Sequence, residues 1–143
     1  MSELTITKIL SANDTGETGG HQAGLLIPKK QELLRFFPKL DSSTLNPRVH
    51  LQFADQSGQN WEFAFIYYNN KHFGGTRNEY RLTRMTKYIR QEGLVASDEV
   101  HLHRDENGDF AISHRRANVD TVRQHTDGVT VLTLGSGWKV INI

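Results

Sequence analysis

No part of the chain is more explicit about its architecture than RVHLQFADQSGQNWEFAFIYY, residues 48–68. Across Arg48–Ala54, Val49, Leu51 and Phe53 alternate with polar residues, and across 61–68 Trp61, Phe63, Phe65 and Tyr67 share one face. A period of two is the pattern of a strand with one buried side. Residues 55–60, with Gly58, read as the turn between them. Aromatics in this alternation can form a stacking platform for single-stranded nucleic acid, but core is the commoner role and the one expected here.

Outward from that centre the same pattern recurs. Residues 2–10 alternate through Leu4 and Ile6, and residues 23–27 read as a strand ending at Pro28. Residues 29–37 carry Leu33, Leu34 and Phe37 on one face, which predicts a helix stopped by Pro38. Residues 11–22, SANDTGETGGHQ, hold three glycines and almost nothing apolar, so an exposed loop without regular structure is expected. Leu82, Met85 and Ile89 recur at helical spacing, with Gly93 as a C-terminal cap. Glu99–Arg104 and 109–113 flank Asn107-Gly108, a strong hairpin signal. A short helix is expected at 118–125 and strands at 129–134 and 138–143. Seven or eight short strands with two or three short helices make a mainly β domain, a small barrel or sandwich.

At 143 residues the chain is one domain, and 36% hydrophobic with 9% aromatic residues is ordinary for a globular fold. No apolar run reaches the roughly 20 residues of a membrane span, and no secretory leader is visible. There are no cysteines, which excludes disulfides and thiolate metal sites and fits the cytoplasm. The last strand-like run stops at Ile143 without a polar tail, and a domain cut from a longer protein is expected.

The charge is unevenly placed. Residues 71–90, KHFGGTRNEYRLTRMTKYIR, contain six Lys or Arg against one acid, Glu79, while the whole chain is +1. A concentrated basic stripe marks a polyanion partner, and this one begins in a Gly-Gly loop that lets backbone approach a ligand. A nuclease is the enzyme to test for. Restriction-type metal centres pair an acid with a Lys two residues on, and none of the Asp or Glu has one. None of the seven His opens a His-x-Lys motif either. His101, His103 and His114 lack a convincing fourth metal ligand, and Asp105-Glu106-Asn107-Gly108-Asp109 lacks calcium-loop spacing. No catalytic residue, metal or cofactor is expected.

Double-stranded DNA remains as the partner. A carboxylate beside phosphates is repelled, whereas a base reader uses Glu to accept from cytosine N4 and Arg to pair with guanine O6 and N7. Glu79 either reads a base or orients Arg77 and Arg81, and Asn78 either reads adenine or braces the loop. His21 and Gln22 follow two glycines and reach far enough for base edges. Arg84, Lys87 and Arg90, one helical turn apart, suit phosphate contacts, as do Lys71, His72 and Thr76 in the basic loop and Asn13 and Thr15 in the first loop. The hydroxyls of residues 11–18 can equally satisfy their own backbone.

Residues 11–16 with 18–22 resemble the first DNA-contacting loop of the EcoRII-type restriction endonuclease effector-domain family. Ile66-Tyr67-Tyr68-Asn69, His72-Phe73-Gly74, Thr76-Arg77-Asn78-Glu79, Arg81 and Thr83-Arg84 resemble its second. The resemblance covers about the first 90 residues. It implies a DNA-binding pseudobarrel like that of plant B3 transcription factors, with two arms in the major groove and no catalysis of its own. It also implies a nuclease domain in the same parent chain, in a bacterial cytoplasm. His21, Arg77, Glu79 and Arg81 fall on positions that contact DNA in the family. Departures are Leu26 for a Tyr and Gly75 and Tyr80 for lysines, which imply lost backbone contacts. The implied target is CC(A/T)GG, the alternatives being a site such as GC(C/G)GC or a stand-alone transcription regulator.

Overall fold

The computed structural model describes residues 3–19, 23–117 and 130–142. Nine strands are described: β1 (Leu4–Ile9), β2 (Leu25–Ile27), β3 (Arg48–Ala54), β4 (Asn60–Tyr68), β5 (Glu79–Thr83), β6 (Glu99–Arg104), β7 (Phe110–Arg115), β8 (Thr130–Thr133) and β9 (Trp138–Asn142). Three short helices accompany them: α1 (Ala12–Thr15), α2 (Gln31–Leu34) and α3 (Thr86–Gln91). The strands join in one sheet in the order β2-β5-β4-β3-β7-β6-β1-β9-β8. Every pairing is antiparallel except the short contact of β3 with β7, where Phe53 lies beside Phe110 and Ala54 beside Ala111.

The sheet curls because its inner face is a continuous apolar surface. Leu51 and Phe53 from β3 face inward with Trp61, Phe63 and Phe65 from β4, all buried. The aromatic alternation is therefore core. The Phe37 ring stacks on Phe65 at 4.2 Å, and Tyr88 of α3 meets Trp61 edge-on at 5.3 Å. Trp138, on β9, is buried and donates its indole N–H to the Leu26 carbonyl of β2 at 3.3 Å. That bond ties strands from opposite parts of the sheet order.

Three expectations need correction. Residues 11–22 are not wholly irregular, because residues 12–15 form α1. The Ser11 hydroxyl accepts the Asp14 N–H at 3.1 Å while the Asp14 carboxylate accepts the Ser11 N–H at 3.0 Å, a reciprocal capping box. Gly16, at φ 81°, ends the turn in the left-handed region that glycine occupies without strain. Local polar groups thus built a helix that an apolar periodicity could not announce. Second, Leu82 belongs to β5, and the helix starts only at Thr86. Third, α2 spans Gln31–Leu34, and residues 36 and 37 continue it in tighter turns bonded to the carbonyls three residues back. The helix expected at 118–125 lies outside the described residues.

Candidate nucleic-acid interface

Two segments rise beside the outer face of β3, β4 and β5. The first contains α1 and residues 17–19. Lys8, on β1, reaches across to it, with Nζ 2.9 Å from the Asp14 carboxylate and 2.8 Å from the Ile9 carbonyl. Both side chains of this ion pair are about nine-tenths buried. The Gly24 N–H then bonds the Asp14 carbonyl at 3.0 Å, and the Ala23 N–H bonds the Thr86 hydroxyl at 3.1 Å. The base of this arm is fixed at both ends. His21 and Gln22, expected to read bases, lie outside the described residues.

The second arm leaves β4 at Tyr68 and returns as β5. Residues 70–73 form a single 3-10 turn, and Asn70 closes the loop. Its carbonyl accepts the Gly75 N–H and its side-chain oxygen accepts the Arg77 N–H, both at 2.6 Å. A Cβ at Gly75 would lie 2.8 Å from the Asn70 side chain, so glycine is what lets Asn70 fold into the loop. Lys71, His72 and Thr76 stand exposed on this arm.

The strand period then sorts the return. Glu79, Arg81 and Thr83 face outward, opposite Tyr68, Ile66 and Ala64 of β4, while Tyr80 and Leu82 face inward. Tyr80 stacks with Tyr67 at 4.3 Å and Phe65 at 5.6 Å. Tyr80 thus packs against the aromatic core. Glu79 joins its neighbours: one carboxylate oxygen is 3.4 Å from Arg77 Nε and the other 3.2 Å from Arg81 Nη1. The Arg77 guanidinium also lies over the Tyr68 ring at 3.7 Å. Asn78 accepts the Tyr67 phenol at 2.7 Å, the bracing geometry.

Arg77, Glu79 and Arg81 line a cleft of about 550 Å³ together with Asn13 of the first arm and with Arg84. Thr15 lies outside it, its hydroxyl near the Ala12 carbonyl at 3.0 Å and the Glu17 carboxylate at 2.8 Å. Arg84 is not helical; it turns at φ 65° between β5 and α3. It nevertheless shares a second groove, of about 900 Å³, with Lys87 and Arg90, so the three expected phosphate contacts do converge. Sequence reading missed Arg48, which lines the first cleft. The alternation of β3 gave its face, but only the register of β3 on β4 places it there.

His101, His103 and His114 lie on other strands. His101 sits 2.6 Å from Glu99, His103 2.7 Å from the Thr5 hydroxyl, and His114 3.0 Å from the Tyr88 phenol. Val100 opposes His114 in the ladder, which turns His114 to the face away from His101 and His103. The bond from His101 holds the Glu99 carboxyl below its ordinary range, and burial lowers His114. Among the described residues no three His, Asp or Glu are grouped to hold a metal. No described helix is long and apolar enough to cross a membrane.

Comparison with known proteins now fits this geometry. The Type II restriction enzyme EcoRII of Escherichia coli is 49% identical over 80 residues, which is 54% of this chain and 20% of that enzyme. The B3 domain-containing transcription factor NGA2 of Arabidopsis thaliana is 32% identical over 107 residues, covering 72% of this chain and 32% of that protein. The chain thus spans a fifth to a third of these relatives. Among solved structures, the Arabidopsis FUS3-DNA complex superposes with a TM-score of 0.61 at 20% identity, covering 78% of this chain and 96% of that one. The fold is the B3-like pseudobarrel. Residues 2–100 match the family described as restriction endonuclease EcoRII, N-terminal, and the chain belongs to that family.

Proposed function

We propose that this domain recognises a specific double-stranded DNA sequence in the major groove and serves a type II restriction endonuclease without catalysing cleavage itself. One observation carries the reading: Glu79 holds Arg77 and Arg81 side by side on the outer face of β5, at the wall of a cleft between two arms. A non-specific binder gains nothing from a carboxylate beside phosphates, whereas Arg and Glu together recognise guanine and cytosine edges. Arg77, Glu79 and Arg81 read bases, joined by His21 and Gln22, while Asn78 braces the arm through the Tyr67 phenol. Asn13, Thr15, Lys71, His72, Thr76, Arg84, Lys87 and Arg90 hold the backbone. The target is CC(A/T)GG, and a nuclease domain in the same parent chain, working in a bacterial cytoplasm, receives the signal. Kinship with a restriction enzyme over this segment supports that role.

The experiment is a gel-shift titration against duplexes containing CC(A/T)GG, GC(C/G)GC and a scrambled site, each at two salt concentrations. Specific DNA proteins prefer their site by at least about 10³-fold. Arg77→Ala is expected to cost about 1–3 kcal/mol and to relax discrimination at one base pair, while Arg90→Ala weakens all duplexes alike. Equal, steeply salt-dependent binding to all three duplexes would refute base reading.

A further inference from the structure

We infer that Arg48, on β3, is a DNA phosphate contact that flanks the base-reading wall. The inference rests on the cleft being the DNA-binding surface. In the sheet, Arg48 lies directly opposite Ile66, and Ile66 directly opposite Arg81, so the two arginines share one face and one row, two strands apart. Neighbouring strands are about 4.8 Å apart, which separates the Arg48 and Arg81 backbones by roughly 10 Å. The major groove is about 12 Å wide. With Arg81 directed into the groove, Arg48 meets its rim, where the phosphates are.

The surroundings of the two side chains differ in the same sense. Arg77 and Arg81 are oriented by Glu79, as directional base pairing requires. Arg48 has no carboxylate partner among the described residues, and its guanidinium makes one long contact, 3.4 Å to the Asn46 carbonyl. Its backbone, in contrast, is held firmly. Asn69 is fully buried, and its side chain bonds the carbonyls of Ser42 and Thr44 and the Asn46 N–H. The Tyr67 N–H bonds the Pro47 carbonyl at 3.0 Å. A fixed root with an exposed cation that no carboxylate neutralises suits an anion whose position along the groove rim varies little with sequence. It does not suit a base edge.

The test is the affinity of wild type, Arg48→Gln and Arg48→Lys for a CC(A/T)GG duplex and its scrambled counterpart at several salt concentrations. One lost phosphate contact makes the slope of log K against log salt shallower by about 0.9, which at 0.1 M salt is about an eightfold loss. Arg48→Gln should show both effects equally on the two duplexes, and Arg48→Lys, which keeps the charge, should keep the wild-type slope. An unchanged slope and affinity in Arg48→Gln would overturn the inference, as would a loss confined to the CC(A/T)GG duplex. A wild-type domain that binds neither duplex would instead overturn the reading of the cleft, before any variant is compared.

Discussion

Asp14→Ala is expected to destabilise the domain by about 3–5 kcal/mol, the cost of breaking a buried ion pair from one side. The geometry explains why the figure is large for a four-residue helix. The Asp14 carboxylate is the partner of Lys8 Nζ at 2.9 Å and of the Ser11 N–H at 3.0 Å, with both charged side chains about nine-tenths buried. Its removal leaves the Lys8 ammonium inside the protein with the Ile9 carbonyl as its remaining acceptor. It also deletes half of the capping box, a loss of about 1 kcal/mol contained in that total. For a domain of this size, 1 kcal/mol moves the melting temperature by roughly 3–4 °C, so a fall of about 10–20 °C is expected. The assay is denaturant and thermal unfolding of wild type, Lys8→Met, Asp14→Ala and the double variant. In the double variant neither charge is stranded, so it should be more stable than the summed single losses by at least about 1 kcal/mol. Additive losses, or an Asp14→Ala cost below about 1 kcal/mol, would refute the reasoning. The pair would then not be what anchors the first arm to β1.

Two further outcomes follow from single residues. Arg84 occupies φ 65°, a conformation that costs an L-residue roughly 1–2 kcal/mol; Arg84→Gly should therefore raise stability by about 1 kcal/mol while weakening DNA binding, and a variant that loses stability would show the turn is not strained. Asp55 accepts from the Trp61 indole, the Ser57 hydroxyl and the N–H groups of Ser57 and Gln59, which hold its carboxyl down at about 2. A carboxyl depressed by folding contributes stability that is complete above its unfolded value near 3.8 and is lost as pH falls through about 2. The urea midpoints of wild type and Asp55→Asn should thus converge between pH 4 and 2, and a constant gap across that window would contradict the assignment.

The fold was legible wherever one face of a strand is buried. β3, β4, β6 and the hairpin to β7 follow from period-two alternation and from Asn107-Gly108, because burial on one side leaves that imprint in the residues themselves. α1 was not legible, since its stabilising groups are a capping box and a lysine from β1 rather than an apolar stripe. Leu82 was misplaced for a related reason. It is buried in β5, three residues before Met85 and seven before Ile89, which are buried around α3, so a strand and a helix end to end mimic one helical period. The site divides the same way. The outward set Glu79 and Arg81 was visible as charge in a basic stretch, but the inward turn of Tyr80 depends on strand phase, and the position of Arg48 on the register of three consecutive strands. Register is set by side chains on both partners at once, and a single stretch does not carry it.

The arrangement at Glu79 bears on what selection of this kind of site rewards. The carboxylate is about a third exposed, as is usual for ion pairs worth only about 0–1 kcal/mol. Stability is therefore a weak reason for an acid in the most basic part of the chain. Its effect on geometry is larger. Arg77 lies over the Tyr68 ring beside Glu79, and Arg81 meets the other Glu79 oxygen in the lining of the cleft. Long side chains that are already ordered lose less entropy on binding, roughly 0.5–1.5 kcal/mol for each rotamer-rich side chain spared. If the arginines read base edges as proposed, the same acid repels phosphate and lowers the affinity of every wrong register in which they meet backbone instead. Discrimination is a difference between two affinities, and one carboxylate between two guanidinia acts on both terms.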